Sequence, residues 1–376
     1  MQASIYVHVP FCTHKCSYCS FFSIPRDGKE RSYLPLLKKE IEGLKGLNIT
    51  APTVYIGGGT PSCMPIEFVP EVLCALKDAV TIAPGAEITC EANPETFTLE
   101  HAKAWAKAGV NRLSFGVQSM DDAILAHMGR GHRAKDVPAA IGYARAAGIQ
   151  NISVDAIYGY PGQSMESWQD TLNKLCDLAP QHISCYCLTP EEGTPLYHQL
   201  NAGHLTLDED AAADMGAYTI GALAARGYTR YEISNYAKPG FESRHNSVYW
   251  RRQGYMGMGA GAHGCVRRGG DRLRYCHSDD IIAYEKELAS GDPFPNAVVL
   301  TKEEMMFEAV MLFTRMVEGL DLTAFQKEFG VDFFTAYPRA NYFVQQGLAR
   351  VQSGRFCLTL RGMEVQNSVL MEFLPD

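Results

Sequence analysis

The sequence predicts an α/β chain: a partial (β/α)6 TIM-like barrel followed by a smaller C-terminal α+β module of winged-helix type. Three observations predict it. Six short apolar or β-branched runs alternate with longer segments of helical period through the first half, as in parallel sheets built from βα units. Polar and glycine-rich motifs recur at the C-terminal ends of those runs, where parallel α/β folds carry their chemistry. Near Thr301 the pattern changes to helices that end in a hairpin.

The predicted strands are Ser4–Val9, Thr53–Ile56, Glu87–Glu91, Arg112–Gly116, Asn151–Ile157 and His182–Tyr186. Tyr33–Leu44 carries Leu34, Leu37, Ile41 and Leu44 at helical spacing and forms the first connection. Ile66–Ala79 follows a proline, and Leu99–Ala108 follows the N-cap residue Thr98. Lys135–Ala147 stops at Gly148, and Met165–Leu178 starts after Ser164. Six such units suit an open barrel better than a closed one of eight.

Beyond Pro190 the expected elements are a helix over Leu207–Arg226, a strand over Thr229–Ile233 and a helix over Asp279–Ala289. Thr301-Lys-Glu-Glu304 is a capping box opening a helix to Met316, followed by helices over Leu322–Phe329 and Asp332–Gln346. Leu348–Val351 and Phe356–Leu360, turned by Ser353-Gly354, complete a hairpin. The expected domains are the barrel over 1–235, a basic glycine-rich extension over 236–295 and the C-terminal module over 296–376. The module is acidic or neutral, so it reads as a docking or lid unit and not as a DNA reader.

Composition bounds the function. With 376 residues, 46 % hydrophobic and 20 % charged, this is an ordinary globular chain with room for two domains. A net charge of −8 weighs against general nucleic-acid affinity. Met1 leads straight into the first predicted strand, and no apolar run is long enough to span a bilayer. The expected compartment is a reducing cytoplasm, where twelve cysteines serve as ligands and core residues before disulfides. Between Pro239 and Tyr275 seven arginines face two acids, a net +5 that leaves −13 for the remainder. Such an island suits an anionic ligand held by guanidinium forks, or a solvated arginine face.

Cys12, Cys16 and Cys19 lie in a polar loop directly after the first strand. Core cysteines follow the period of an element, and these do not. Three thiolates are one short of a closed zinc site, and on a [4Fe–4S] cluster they leave one iron open for chemistry. Tyr18, between the second and third ligands, can shield a cluster or stack on a planar ligand. The second strand ends in Gly57-Gly-Gly-Thr60-Pro61, whose backbone can grip a polar ligand. Glu91, Gln118 and Asp155 mark later strand ends, and Arg130 follows Gln118. Packing alone does not account for polar groups on successive strand ends, because each would be buried in need of a partner. They suit a ligand with amine, carboxylate and hydroxyl groups.

Cx3CxYC after the first strand, GGGTP after the second, and these acidic and amide strand ends together resemble the radical S-adenosylmethionine (SAM) superfamily. More narrowly, Tyr6-Val-His-Val-Pro-Phe-Cys12, Gly116-Val-Gln-Ser119 and Asp155-Ala-Ile-Tyr-Gly159 are similar to the oxygen-independent coproporphyrinogen III oxidase group, across nearly the whole chain. The resemblance implies a [4Fe–4S] cluster on Cys12, Cys16 and Cys19, with SAM chelating the open iron and cleaved reductively to a 5′-deoxyadenosyl radical. It implies Tyr6, Gly58 and Glu91 as groups serving that SAM. Gly59, Thr60, Gln118, Arg130 and Asp155 match positions that line a second SAM site in the oxidases.

Two departures narrow the resemblance. Phe21 stands where the oxidases carry a fourth cysteine, and eleven residues precede Cys12 where they carry a long extension. Both features, with His245-Asn-Ser-Val-Tyr-Trp250, which is similar to an HNxxYW motif, resemble the HemW-type haem chaperones. This implies a haem carrier that hands haem to an acceptor haemoprotein, the membrane surface being one place for delivery. An oxidase, and a radical SAM methylase or haem-opening enzyme, are the alternatives on the same scaffold. His245 is expected to ligate haem iron, Tyr249 and Trp250 to face the porphyrin, and the nearby arginines to hold its propionates. The bland reading of His245 is a packed corner. His263 and Cys265 are weaker haem candidates, and Cys185 and Cys187 are expected to be buried or to face the cavity.

Overall fold

The structure is a computed structural model that describes residues 1–374. Six parallel strands form in chain order: β1 Ser4–Val9, β2 Thr50–Gly58, β3 Thr81–Ala92, β4 Arg112–Gln118, β5 Asn151–Tyr158 and β6 His182–Cys187. Each pairs with the next in parallel. The connections carry helices α1 Glu30–Glu42, α2 Phe68–Ala79, α3 Leu99–Ala108, α4 Asp122–Met128, α5 Asp136–Ala146 and α6 Met165–Asp177, and beyond β6 follow α7 Pro195–Asn201, α8 Glu209–Ala225, α9 Arg244–Trp250 and α10 Ile281–Glu287. Local chemistry sets their ends. The Thr98 and Ser164 hydroxyls accept from the His101 and Ser167 N–H groups, and Gly109 stops α3 at φ 110°. Outward-facing Val and Ile of the strands pack on Leu37, Ile41, Leu73 and Trp105 of the helices, all buried. Each such side chain contributes about 1.5–3 kcal/mol.

The sheet does not close, as the six-unit pattern predicts, but it extends at both edges. β7 Thr229–Arg230 and β8 Asn235–Ala237 form a hairpin, antiparallel to β6 through β8. This replaces the single strand expected over Thr229–Ile233. The buried Glu232 carboxylate accepts from Ser234 N and Asn235 Nδ2 at 2.7 Å each, and so turns the chain in mid-run. At the other edge β9 Tyr255–Met258 pairs in parallel with β1. It is followed by antiparallel β10 His263–Arg268, β11 Asp271–Cys276 and β12 Val298–Val299. Residues 255–299 thus continue the barrel sheet. The glycines here serve close packing: a Cβ on Gly257 would stand 2.0 Å from the His263 carbonyl oxygen.

In the C-terminal module α11 Lys302–Phe313 opens on the expected capping box of Thr301 and Glu304. β13 Leu320–Asp321, α12 Leu322–Phe329, α13 Phe333–Ala336, α14 Arg339–Gln345, β14 Ala349–Gln352 and β15 Arg355–Leu358 follow. The helix expected over Asp332–Gln346 is broken in two, because Pro338 has no N–H to continue it and disfavours helix at Tyr337. Ser353 and Gly354, at φ 50° and 73°, turn the hairpin as a two-residue loop. Phe325, Phe333, Phe356 and Phe373 form the module's core. No described helix is long and apolar enough to cross a membrane.

Five of the island's seven arginines are committed to ion pairs, two of them buried and three 45–57 % exposed. Arg252 and Arg272, 4 % and 3 % exposed in their side chains, converge with Arg274 on Glu308 of α11. Arg252 and Arg267 reach Glu328 of α12 at 2.9 and 2.7 Å, and Arg251 reaches Glu318. The basic stretch is the socket into which the acidic face of the module docks. The expectation that these arginines hold an anionic ligand is corrected accordingly.

Candidate functional site

The cysteine loop leaves β1 at Pro10 and is clamped at its base. Phe11–Cys12 pairs with Ile24–Pro25, and Ile24 N donates to Pro10 O at 2.7 Å. The glycine run of β2 is stitched to the same base, with Gly59 N on Val9 O and Thr60 N on Phe11 O. A Cβ on Gly59 would stand 2.6 Å from the Val9 oxygen, so only glycine fits. Gly58 takes φ 106° and donates to Glu91 Oε2 at 2.9 Å, while a Cβ on Gly57 would strike the Glu91 carboxylate. The glycines therefore bring strand, loop and Glu91 together.

Cys12, Cys16 and Cys19 line the mouth of one cavity of ≈ 360 Å³ that runs down into the barrel. Thr60 Oγ1 donates to Cys12 Sγ and Arg130 Nη1 to Cys16 Sγ, both at 3.4 Å. Arg130 is fixed by Asn93 Oδ1 at 2.8 Å and Gly116 O at 2.6 Å, and Asn93 also donates to Thr60. Donors aimed at sulfur suit thiolates on a cluster, whose negative charge they offset. Among the described residues no three of His, Cys, Asp and Glu gather around a single metal ion. Ligands at the corners of a cluster stand farther apart than that. The residues fit a [4Fe–4S] group held by the three thiols, which would supply one open iron and an electron for SAM. Tyr18, which also lines this cavity, packs against the small apolar cluster that contains Ile124, Met128 and Leu196.

Deeper in the cavity stand Glu91, Gln118 and Asp155. Tyr55 OH donates to Glu91 at 2.6 Å, and Ser114 and Ser184 donate to Asp155 at 3.0 and 2.6 Å. Loss of water raises both carboxyls above their ordinary range, against the pull of these donors. Gln118 sits at φ 67° beside a register shift in β4, a strained backbone of the kind found where a side chain is aimed at a ligand. Cys187 lines the cavity as well, whereas Cys185 is buried behind it. Tyr6 is placed apart from the cavity lining. It lines a neighbouring groove that meets the cavity at Ser20 and Phe21, its hydroxyl 2.8 Å from His8 Nδ1.

His245 is also placed differently. It is fully buried, with Nδ1 2.7 Å from Thr53 Oγ1, Nε2 2.8 Å from Tyr249 OH, and its ring stacked on Tyr55. Both nitrogens are committed, so neither is presented to haem iron in this fold, and the packed corner is what forms. The helix that carries it, α9 Arg244–Trp250, is anchored by Glu87, whose carboxylate accepts from the His245 and Arg244 N–H groups. Trp250 is covered by the Arg315 guanidinium, 4.4 Å from its ring centre. Burial, aided by the charge of Arg112, lowers the His245 pKa to about 3. An unfolded histidine protonates near its ordinary value while this one stays neutral, so stability should be lost as pH falls from about 6.5 toward 3, at up to about 1.4 kcal/mol per unit. Urea unfolding should show a shallower acid slope in His245→Asn than in the natural chain; equal slopes would count against this.

Several site residues escaped the sequence reading. Asn93, which ties Arg130 to Thr60, lay in the Glu91-Ala-Asn93-Pro94 strand end and carried that signal. Tyr55 and Arg112 gave only an inward position on a buried strand.

An open parallel barrel with three cysteines at its rim defines a radical SAM protein, and comparison with known proteins agrees. The Radical SAM superfamily model matches residues 6–175, and the HemN C-terminal domain model matches 300–365. The chain is 34 % identical to the "Heme chaperone HemW" of Lactococcus lactis, covering 99 % of this chain and 97 % of that one. It is 34 % identical to the protein of the same name from Bacillus subtilis, covering 99 % of both. The chain belongs to the HemW family of radical SAM proteins. Escherichia coli HemN, a coproporphyrinogen III oxidase described as a radical SAM enzyme, superposes with a TM-score of 0.84 at 22 % identity, over 99 % of this chain and 89 % of that one, which shows a shared fold.

Proposed function

We propose that this chain is a cytoplasmic haem chaperone that binds haem, carries the cluster and SAM at the barrel rim, and delivers haem to an acceptor haemoprotein. The observation that carries the reading is its similarity, over full length, to proteins named haem chaperones. Phe21 supports it. Where a fourth cysteine would stand, an aromatic side chain is 67 % exposed and borders both the cluster cavity and the adjoining groove. That groove, ≈ 790 Å³, is walled by Phe22, Tyr249 and Tyr255 and suits a flat apolar ring system. His245 serves it indirectly, by holding the Tyr249 hydroxyl and hence its ring.

The axial ligand then falls to His263 of β10, exposed in the same groove and directly opposite Cys276 of β11. The other two histidines there are occupied: His8 by Tyr6 and the Phe22 carbonyl, His277 by Glu40 and Glu287. Cys265 is buried and takes no part.

The test is to load the reconstituted chain with haem and offer it apomyoglobin. Haem should bind and pass to the acceptor; neither binding nor transfer would reject the reading. His263→Ala should weaken binding roughly tenfold or more and shift the haem absorbance, with iron–sulfide content unchanged. An unaltered spectrum would move the ligand elsewhere.

A further inference from the structure

The barrel holds a buried charge that its own fold leaves without a partner. Arg112 opens β4, lines the cavity and is 1 % exposed. Its Nε has no hydrogen-bond partner, and among the described residues no carboxylate stands within ion-pair reach of its guanidinium. Elsewhere the chain pairs its buried arginines, Arg252 and Arg272, with Glu308, and the half-buried Arg130 is held by Asn93 and a carbonyl. Arg112 acts on Glu91 and Asp155 only through space, and the groups around it bond elsewhere. Asp155 is held by Ser114 and Ser184, Glu91 by Tyr55 and Gly58, Glu87 by the N-terminus of α9, and His182 by Ser153 and Tyr231. A buried guanidinium with no partner is costly, which argues for a ligand that completes it.

We propose that Arg112, with Asn246 of α9 on the wall of the same cavity, is a carboxylate-binding subsite in the lower barrel, beneath the cluster rim. Guanidinium and carboxylate match as a planar two-bond pair. Nearby Glu91 and Asp155 disfavour a more highly charged anion such as a phosphate dianion. The carboxylate of SAM on the rim iron is an unsuitable occupant. Arg112 starts six residues before Gln118, about 20 Å along the strand, more than twice what an arginine side chain spans. Two sources share the required chemistry: a free small acid, or a propionate of a porphyrin that enters the barrel cavity itself and not the adjoining groove.

The experiment uses the full-length, cluster-reconstituted chain with SAM, as the natural protein, Arg112→Met and Arg112→Lys. Three probes are titrated, acetate, haem and haem dimethyl ester, with melting temperature and haem absorbance as readouts. Arg112→Met should not lower the melting temperature of the ligand-free chain, since it removes an unpaired buried charge at similar volume. It should abolish the acetate-dependent rise, and Arg112→Lys, which keeps the charge without the fork, should restore part of it. If a propionate is the occupant, esterification should weaken haem binding about ten- to hundredfold in the natural chain and not in Arg112→Met. Equal binding of haem and ester, with an Arg112-dependent acetate response, identifies the free acid.

An acetate response and a haem-to-ester ratio that are both the same in the natural chain and Arg112→Met would overturn the subsite. Should Arg112→Met fail to fold, Arg112→Lys decides by the same two comparisons. Haem that does not bind at all rejects the chaperone reading alone, because the acetate arm still decides this inference.

Discussion

Cys16→Ala should leave a reconstituted chain with iron and sulfide near zero and no detectable SAM cleavage, yet still folded. Two thiolates do not hold a cluster at an exposed rim. The loop contributes little to the core, which is built from the outward faces of β1–β6 and their helices. Arg130, which loses its contact with the sulfur, keeps Asn93 and the Gly116 carbonyl, so no buried charge is stranded. The cluster-free variant and the cluster-free natural chain should therefore unfold within about 1 kcal/mol of each other. Iron and sulfide analysis with circular dichroism checks both halves. A variant that lost its secondary structure would make the cluster a folding element instead of a cofactor.

The second large effect is on stability. Glu308→Gln should destabilise the chain by about 3–5 kcal/mol, because it leaves Arg272 buried against a neutral amide and Arg252 with Glu328 as its one remaining carboxylate. Glu318→Gln removes an ion pair whose partners are 41 % and 45 % exposed, and should cost no more than about 1 kcal/mol. Denaturant unfolding of the two variants compares them directly. Limited proteolysis should find Glu308→Gln cut more readily between β12 and α11, where the module joins the barrel. Equal costs would mean that apolar contacts and not the arginine socket hold the module in place.

The parts of this protein written in local pattern were legible in the sequence. β1 and the helices over Leu99–Ala108 and Leu322–Phe329 fall at their expected bounds, because alternation, capping residues and terminal glycines act within a few residues. The residues brought to the cavity, Cys12, Cys16, Cys19, Gly58, Thr60, Glu91, Gln118, Arg130 and Asp155, were legible too. Polar groups at the C-terminal ends of parallel strands meet at one rim whatever the details of packing. Burial of partners distant in sequence was not legible. His245 looked available because nothing near it in the chain shows Thr53 and Tyr55 closing over its ring. The arginines looked like a ligand site because Glu308 and Glu328 stand more than 30 residues away.

The sequence by itself thus determined the open α/β barrel and the three-thiol rim, since both rest on short-range periodicity and spacing, while the family came from the resemblance of its motifs. Only the tertiary structure decided which polar groups remain free. It spent the arginine island on docking, spent His245 on positioning Tyr249, and left Arg112 unpaired inside the barrel. Hydrogen bonds and ion pairs saturate, so whether a charged side chain can serve a ligand depends on what folding has already brought against it.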